Sequence, residues 1–236
     1  MGPFDAPKIA ENIPSSSSAE IQKMQASNGM LDEIFALKDK TAKTQKGPEI
    51  SDLGRIAQMS MPVGWTAGND VNRGTSYAKE FHPKTQNAAG EAVENKDVQM
   101  VFSYRGNRLS DDASKAFREL IDSPSKSTDG KGQPVTVLDL QRTPLNEVLG
   151  ERGSAAVFTP AFAEIQKING EPALVVVGKY AKYDVKAKLI YIDADRNNRT
   201  AYGAPVQEIA FMAPSDQFYK YSTQANKALN SVEWQH

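Results

Sequence analysis

There is no cysteine in this chain of 236 residues. That single absence removes disulfides, thiol nucleophiles, iron–sulfur clusters and cysteine-based zinc sites. It leaves the compartment open, because a chain without thiols is at home in either redox environment. Histidine is nearly as scarce, with His82 and His236 alone, so any imidazole chemistry falls to one internal residue. Charge of one sign is missing too: 28 basic residues face 29 acidic ones, for a formal net charge of -1. No block of like charge supplies the footprint of a nucleic-acid binder, and no nucleic-acid partner is expected. The longest clean apolar run, Ala173 to Val177, falls far short of a membrane span. The first fifteen residues lack a charged region followed by an apolar core, so no signal peptide is expected in the sequence as given. An export signal removed ahead of Met1 would make the protein secreted or envelope-associated. The apolar content of 39% is low for a wholly compact chain and implies that part of it is solvated.

What is present is densest near the C-terminus. Ala163 to Ile168 leads into Asn169-Gly170, the pair best suited to the two positive φ angles of a type I′ turn. The segment Ala173 to Tyr180 follows, and its run of Leu174, Val175, Val176 and Val177 predicts a strand buried on both faces. Ala187 to Asp193 predicts another strand, Asp195 to Asn198 a polar turn, and Val206 to Phe211 a further strand. The closing segment reads as a helix. Ser215 offers a capping hydroxyl, Asp216 a carboxylate near the positive end of the helix dipole. Phe218, Tyr221, Ala225, Ala228, Leu229 and Val232 fall on one stripe.

Residues 1–50 read as a separate polar or helical arm. Pro3, Pro7, Pro14 and the run Ser15 to Ser18 favour an extended lead. Ser17 and Glu20 form a capping box ahead of Ile21 and Met24, and Met30, Leu31, Ile34, Phe35 and Leu37 make a second apolar patch. The α+β domain then spans residues 51–236. Ile56 to Met61 alternates as a strand, with Gly74 to Phe81 as its expected partner and Gln86 to Asn95 as a polar turn. Val98 to Tyr104 predicts a strand. Ser110 caps a helix whose inner face is Ala113, Ala116, Phe117, Leu120 and Ile121. Asp122 to Gln133 has the composition of an exposed loop. Thr143-Pro144 and Gly150 bracket a short helix through Leu149.

The order of strand, Pro-x-Gly-Trp, strands, helix, two hairpins and helix resembles the PsbP/Mog1-like fold. The residues that carry the resemblance are Met61-Pro62-Val63-Gly64-Trp65, the segment Ile168-Asn169-Gly170-Glu171-Pro172-Ala173-Leu174, and the ending from Ile209-Ala210-Phe211-Met212-Ala213-Pro214 through Leu229-Asn230-Ser231-Val232-Glu233-Trp234. It covers about residues 52–234. The stretch Asp122 to Phe158 and the N-terminal arm depart from it. The resemblance implies an antiparallel β-sheet sandwiched by helices, in a group whose members mostly bind other proteins. Fold alone is a weak warrant for function.

Motifs with chemical content are few. His82, next to Pro83 at a strand end, reads as a surface residue; a Ser–His–Asp relay would have to use it, and no Gly-x-Ser-x-Gly elbow accompanies it. Asp193-x-Asp195-x-Asn197 matches the opening of a calcium loop. However, Asn198 stands where that loop needs Gly and Ala204 where it needs a bidentate Glu, so an Asx-rich turn is the expected reading. Asp111 and Asp112 point about 100° apart on a helix and form no catalytic pair. Gly130-Lys131-Gly132 lacks the flanking residues of a phosphate loop, and Gly150-Glu151-Arg152-Gly153 is too short for a dinucleotide fingerprint. Tyr180-Ala181-Lys182-Tyr183 and Tyr219-Lys220-Tyr221 interleave rings with ammonium groups and could stack bases. Snorkelling cover for a sheet rim is the preferred reading.

No catalytic, cofactor-binding or metal-ligating residue is therefore assigned. The first expectation is a non-enzymatic protein-binding domain: an adaptor, assembly factor, chaperone-like protein or secreted effector. The second is a hydrolase or small-molecule-binding enzyme built from scattered carboxylates, Tyr and Lys. It requires a pocket holding two carboxylates or a strongly perturbed Lys or Tyr, with His82 and Asp139 as the places to look.

Overall fold

Apolar runs that alternate or continue must find cover on one or both faces, and here they do so in a sheet. The computed structural model describes residues 47–68, 70–73, 76–123, 133–141, 144–199 and 203–235. Its first half comprises β1 (Glu49–Leu53), β2 (Ile56–Ser60), β3 (Trp65–Ala67), β4 (Val71–Arg73), β5 (Ser76–Gln86), β6 (Ala92–Glu94), β7 (Gln99–Arg108) and α1 (Asp111–Asp122). Then come β8 (Gln133–Pro134), α2 (Val137–Gln141), α3 (Leu145–Gly153), β9 (Phe158–Ile168) and β10 (Glu171–Tyr180). Last are β11 (Val185–Asp193), a 3₁₀ turn (Arg196–Asn198), β12 (Pro205–Pro214), α4 (Phe218–Asn230) and β13 (Glu233–Trp234). The fold is α+β. A ten-stranded sheet runs β3-β5-β7-β12-β11-β10-β9-β8, with β4 and β6 also against β5, and a three-stranded sheet runs β1-β2-β13. Every described pairing is antiparallel.

The two-residue side-chain period divides the large sheet into two faces. On the first, Leu174, Val176, Leu189, Tyr191, Val206 and Ala210 are buried in one cluster with Ala113, Phe117 and Ile121 of α1 and Val148 and Leu149 of α3. On the second lie Met100, Phe102, Val175, Ile190, Ile209 and Phe211, all buried. Helix α4 packs there: the Phe218 ring is 5.2 Å from that of Phe211, and Lys188 Nζ is 3.0 Å from Asn226 Oδ1. The helix stripe buries Phe218, Tyr221, Ala225, Ala228 and Leu229 as its spacing predicts.

Several local expectations hold in detail. Asn169 and Gly170 adopt φ of 47° and 89°, the two positive angles of the predicted turn. Ser110 caps α1, its Oγ accepting from Ala113 N at 3.4 Å. Others need correction. Residues 76–81 pair with β3, β4 and β7 rather than with Ile56 to Met61, because β2 is taken by β1 and β13. Glu49 and Ile50, assigned above to the arm, are the first residues of β1. Ser215 does not cap α4: the N-cap is Gln217, without a side-chain bond, and Ser215 Oγ donates to Asp184 Oδ1 at 2.8 Å. A competing carboxylate on the neighbouring hairpin takes the hydroxyl. In α3, Gly150 leaves the helical region with φ of 58°, so the glycine stop expected there is a break inside the helix. The capping box at Ser17, the apolar patch from Met30 to Leu37, residues 124–132 of the loop, Thr143 and His236 lie outside the described residues.

The turn between β1 and β2 is fastened to the large sheet. Gln207 Oε1 accepts from Arg55 N at 3.2 Å while its Nε2 donates to Ser103 O at 2.9 Å. Gly54 sits in this turn at φ +61°, and a Cβ there would fall 2.1 Å from Gln207 Oε1. Both the backbone angle and the contact exclude a side chain. Gly54→Ala is expected to destabilise the fold by ~2 kcal/mol or more, read as a lower urea midpoint; an unchanged midpoint would refute the turn's role.

Candidate functional site

Ionisable groups buried in a core are the first place to look for chemistry, and here each is turned toward an internal partner. Asp193, fully buried at the end of β11, accepts from Arg118 Nε at 2.9 Å and lies 3.4 Å from Arg199 Nε. Asp195 accepts from Arg118 Nη2 and Arg108 Nη1, each at 2.8 Å. Burial, and then the neighbouring Asp195, push the Asp193 carboxyl above its ordinary value, against the pull of Arg118. The turn therefore keeps its Asx chemistry, and guanidinium groups occupy the oxygens a calcium ion would need. No group of three metal-ligating side chains forms among the described residues. Around this end, Arg199 and Arg196 both hold Asp122, and the Arg199 hydrogen bond keeps that carboxyl below its usual range. Glu171 lies between Arg55 and Arg196 at 3.7 and 3.8 Å.

A second buried acid, Glu208 of β12, is held on the first face by Arg105 Nη2 at 2.9 Å and Arg152 Nη1 at 3.2 Å. Nearby, burial pushes the Tyr180 hydroxyl up to about 12 and the Tyr191 hydroxyl well above its ordinary value. Tyr191 donates to Leu149 O at 3.0 Å. These shifts come chiefly from desolvation in the core. Lys188 is the counterpart on the second face, where burial lowers its ammonium from 10.5 to about 8 against the opposing pull of Glu164.

His82 is buried, contrary to the surface role read from its position. Its Nδ1 lies 2.9 Å from Val98 O and its Nε2 3.3 Å from Glu80 Oε1. Pairing with Thr66 of β3 and the bond to the Val98 carbonyl enclose the ring, which one residue before a proline does not reveal. With a carbonyl on one nitrogen and a carboxylate at the other, the ring is a cross-strand tie. Asp139 lies within the first turn of α2, where its backbone N–H donates to Thr136 Oγ1 at 3.2 Å and its carboxylate accepts from the same hydroxyl. A shallow groove of about 450 Å³ lies between α1 and the start of α3, lined by Ser110, Asp112, Lys115, Ala116, Glu119, Pro144 and Glu147. Glu147, its central acid, accepts from Ser110 N at 2.7 Å and Ser110 Oγ at 2.6 Å. It clamps the start of α1.

The surface offers something different at the end where β10 turns into β11. Ala181 N donates to Val157 O at 2.9 Å, which brings the residues before β9 to this turn. Ser215 N donates to Asp184 O at 3.0 Å, which brings the start of α4 there as well. The two ring-and-ammonium motifs of the sequence thus meet at one end of the sheet. Lys186 joins them, its Nζ 4.7 Å from the centre of the Tyr219 ring. Three residues of these segments are exposed: Tyr183 at 63%, Val157 at 44% and Tyr219 at 39%. Lys179 Nζ lies 2.7 Å from Asp184 Oδ1, and that bond, with the one from Ser215, holds the Asp184 carboxyl below its usual range. Sequence reading named both motifs but missed Val157 and Lys186. The antiparallel register, which sets Val185 opposite Pro214 and Lys186 opposite Ala213, was the signal that could have joined them.

An α+β domain with engaged buried charges and an exposed ring-and-lysine end is what the fold and geometry define. No protein-family model matches the chain, and no curated protein matches it. No helix among the described residues is long and apolar enough to cross a membrane.

Two consequences are measurable. Arg118→Ala leaves Asp193 buried with its nearest cation removed, and a loss of about 3 kcal/mol is expected in urea unfolding; a neutral result would show that Arg199 alone suffices. For Lys188 the folded pKa lies below the unfolded one, so the native state binds fewer protons between roughly pH 8 and pH 10 and stability rises across that window. The tyrosines, with folded values above unfolded ones, act only above about pH 10. Unfolding measured through this range should show the rise in the parent and a flat profile in Lys188→Met; equal slopes would refute the assignment.

Proposed function

We propose that this protein is a non-enzymatic, protein-binding domain of the PsbP/Mog1-like kind, acting as an adaptor, assembly factor, chaperone-like protein or secreted effector. It presents the lysine and tyrosine end of the sheet to its partner, with the arm of residues 1–50 as a second contact. The antiparallel sheet with a helix packed on either face supports the kinship. One observation carries the function: Tyr183, Tyr219 and Val157 are all exposed at the end of the sheet where the β10–β11 turn, the start of α4 and the residue before β9 come together, with Lys182 and Lys186 over two of the rings. Tyrosine joins a large apolar body to a polar tip, the combination enriched where proteins meet. Single exposed apolar residues are ordinary, whereas a group rimmed by charge marks a contact surface.

The perturbed Lys188, Tyr180 and Tyr191 do not favour the enzymatic alternative, because desolvation in or against the packed core causes their shifts; the groove beside α1 does hold Asp112, Glu119 and Glu147, and Glu147 there is bonded to Ser110. The test is affinity capture from the native extract with the parent chain and with Tyr183→Ala/Tyr219→Ala. A stoichiometric partner held by the parent and lost by the variant, at unchanged melting temperature, is the expected result. A partner retained by the variant refutes this surface.

A further inference from the structure

The ammonium groups at this end differ in what they face. Lys179 is paired with Asp184. Lys182, Lys186 and Lys220 are not paired with any carboxylate among the described residues. Each stands over a tyrosine ring instead, at 6.0 Å from Tyr183, 4.7 Å from Tyr219 and 5.0 Å from Tyr221. A cation on a ring face is held only weakly at an exposed site, and remains free to meet an anion. Asp184 is bonded to Lys179 and Ser215 and attracts Lys186 only at longer range, and Asp216 is exposed.

Resting on the binding reading above, we propose that this end of the sheet takes an acidic, extended segment of a partner protein. Carboxylates of that segment would meet Lys182, Lys186 and Lys220, and its apolar side chains would lie on Val157 and Tyr183. The rings argue against single-stranded nucleic acid. Bases bind such surfaces by stacking on successive open rings, whereas here Tyr221 is buried and Tyr219 is partly covered beneath Lys186, which leaves Tyr183 the most open ring. A lipid surface would need apolar groups to insert, and the exposed rings here end in hydroxyls.

The experiment is fluorescence anisotropy on the full chain with a labelled oligo-glutamate peptide interrupted by phenylalanine. A labelled oligothymidylate of equal length and vesicles of phosphatidylcholine with phosphatidylserine serve as rivals. The peptide is expected to bind, to weaken with added salt, and to lose at least about tenfold in affinity in Lys182→Glu/Lys186→Glu/Lys220→Glu. Tyr183→Ala should lose several-fold. If the triple variant fails to fold by circular dichroism, Lys182→Glu alone, on the exposed turn, reads the same effect. Absence of peptide binding, binding indifferent to charge reversal, or tighter binding of the oligothymidylate or the vesicles overturns the proposal. A native partner lost by the tyrosine variant but lacking an acidic stretch also overturns it, while leaving the protein-binding reading intact. Peptide binding lost on charge reversal, with the native partner still captured by the tyrosine variant, upholds the acidic site and shows that the captured partner is held on another surface.

Discussion

A carboxylate buried in a sheet that is covered on both sides must bring its counter-charges with it, and Glu208 imposes this condition on the whole molecule. The residues of β12 from Pro205 to Ala213 are all buried. An unpaired charge at that depth would carry a penalty of several kcal/mol. Arg105 from β7 and Arg152 from α3 meet it, and Arg105 also donates to Leu149 O. The chain of α3 has to pass close over that guanidinium. Gly150 makes this possible: a Cβ there would lie 2.5 Å from the guanidinium carbon, and φ is +58°. The break in α3 is thus a consequence of Glu208. The adjacent Gln207 points to the opposite face and fastens the β1–β2 turn. Two neighbouring residues of one strand therefore tie a helix on one side and a small sheet on the other.

The end of β11 follows the same rule with a different result. Asp193 and Asp195 draw Arg118 from α1 and Arg108 from β7, while Arg199 and Arg196 return from the turn to Asp122 at the end of α1. Arg118 meets both aspartates through separate nitrogens, a geometry available to a planar guanidinium and not to an ammonium group. The network ties α1 to the end of an interior strand of the sheet. Residues that look like an open metal loop in sequence are a closed set of ion pairs in space.

What could be read from the sequence was whatever depends on neighbours in the chain. The Asn169-Gly170 turn, the continuous burial of β10, the stripe of α4 and the Ser110 cap follow from local φ preferences and periodicity. What was hidden depends on distant partners. Ser215 looks like a helix cap until Asp184, on another hairpin, takes its hydroxyl. His82 looks exposed until β3 and the Val98 carbonyl enclose it. The short strands β3, β4, β6 and β13 carry too few residues for a period to show, and they form because β5 and β2 offer open edges. The oxygens of Asp193 could not be assigned without knowing that Arg118, on a helix far earlier in the chain, reaches them. For the candidate site, each half was legible as a motif, and only the register of β11 with β12 put the halves together.

Seven arginines and the lysines of the exposed end are engaged differently, with Lys188 a lysine that lies in the core, and the difference bears on function. Arg55, Arg105, Arg108, Arg118, Arg152, Arg196 and Arg199 all form ion pairs with carboxylates inside or at the edge of the fold. Lys182, Lys186 and Lys220 rest on rings. A guanidinium gives up hydration readily and locks into planar forks, which suits a fixed core. An ammonium group stays hydrated on a flexible stem and fixes no direction, so a surface made of it selects by charge and contact area rather than by shape. Such a surface gains speed of encounter more than tightness, and its grip depends on how well the apolar neighbours are covered once the charges have met. Tyr183 and Val157 stand at the position where that cover would form. The lysines would bring an anionic partner to this end, and the rings would decide how long it stays.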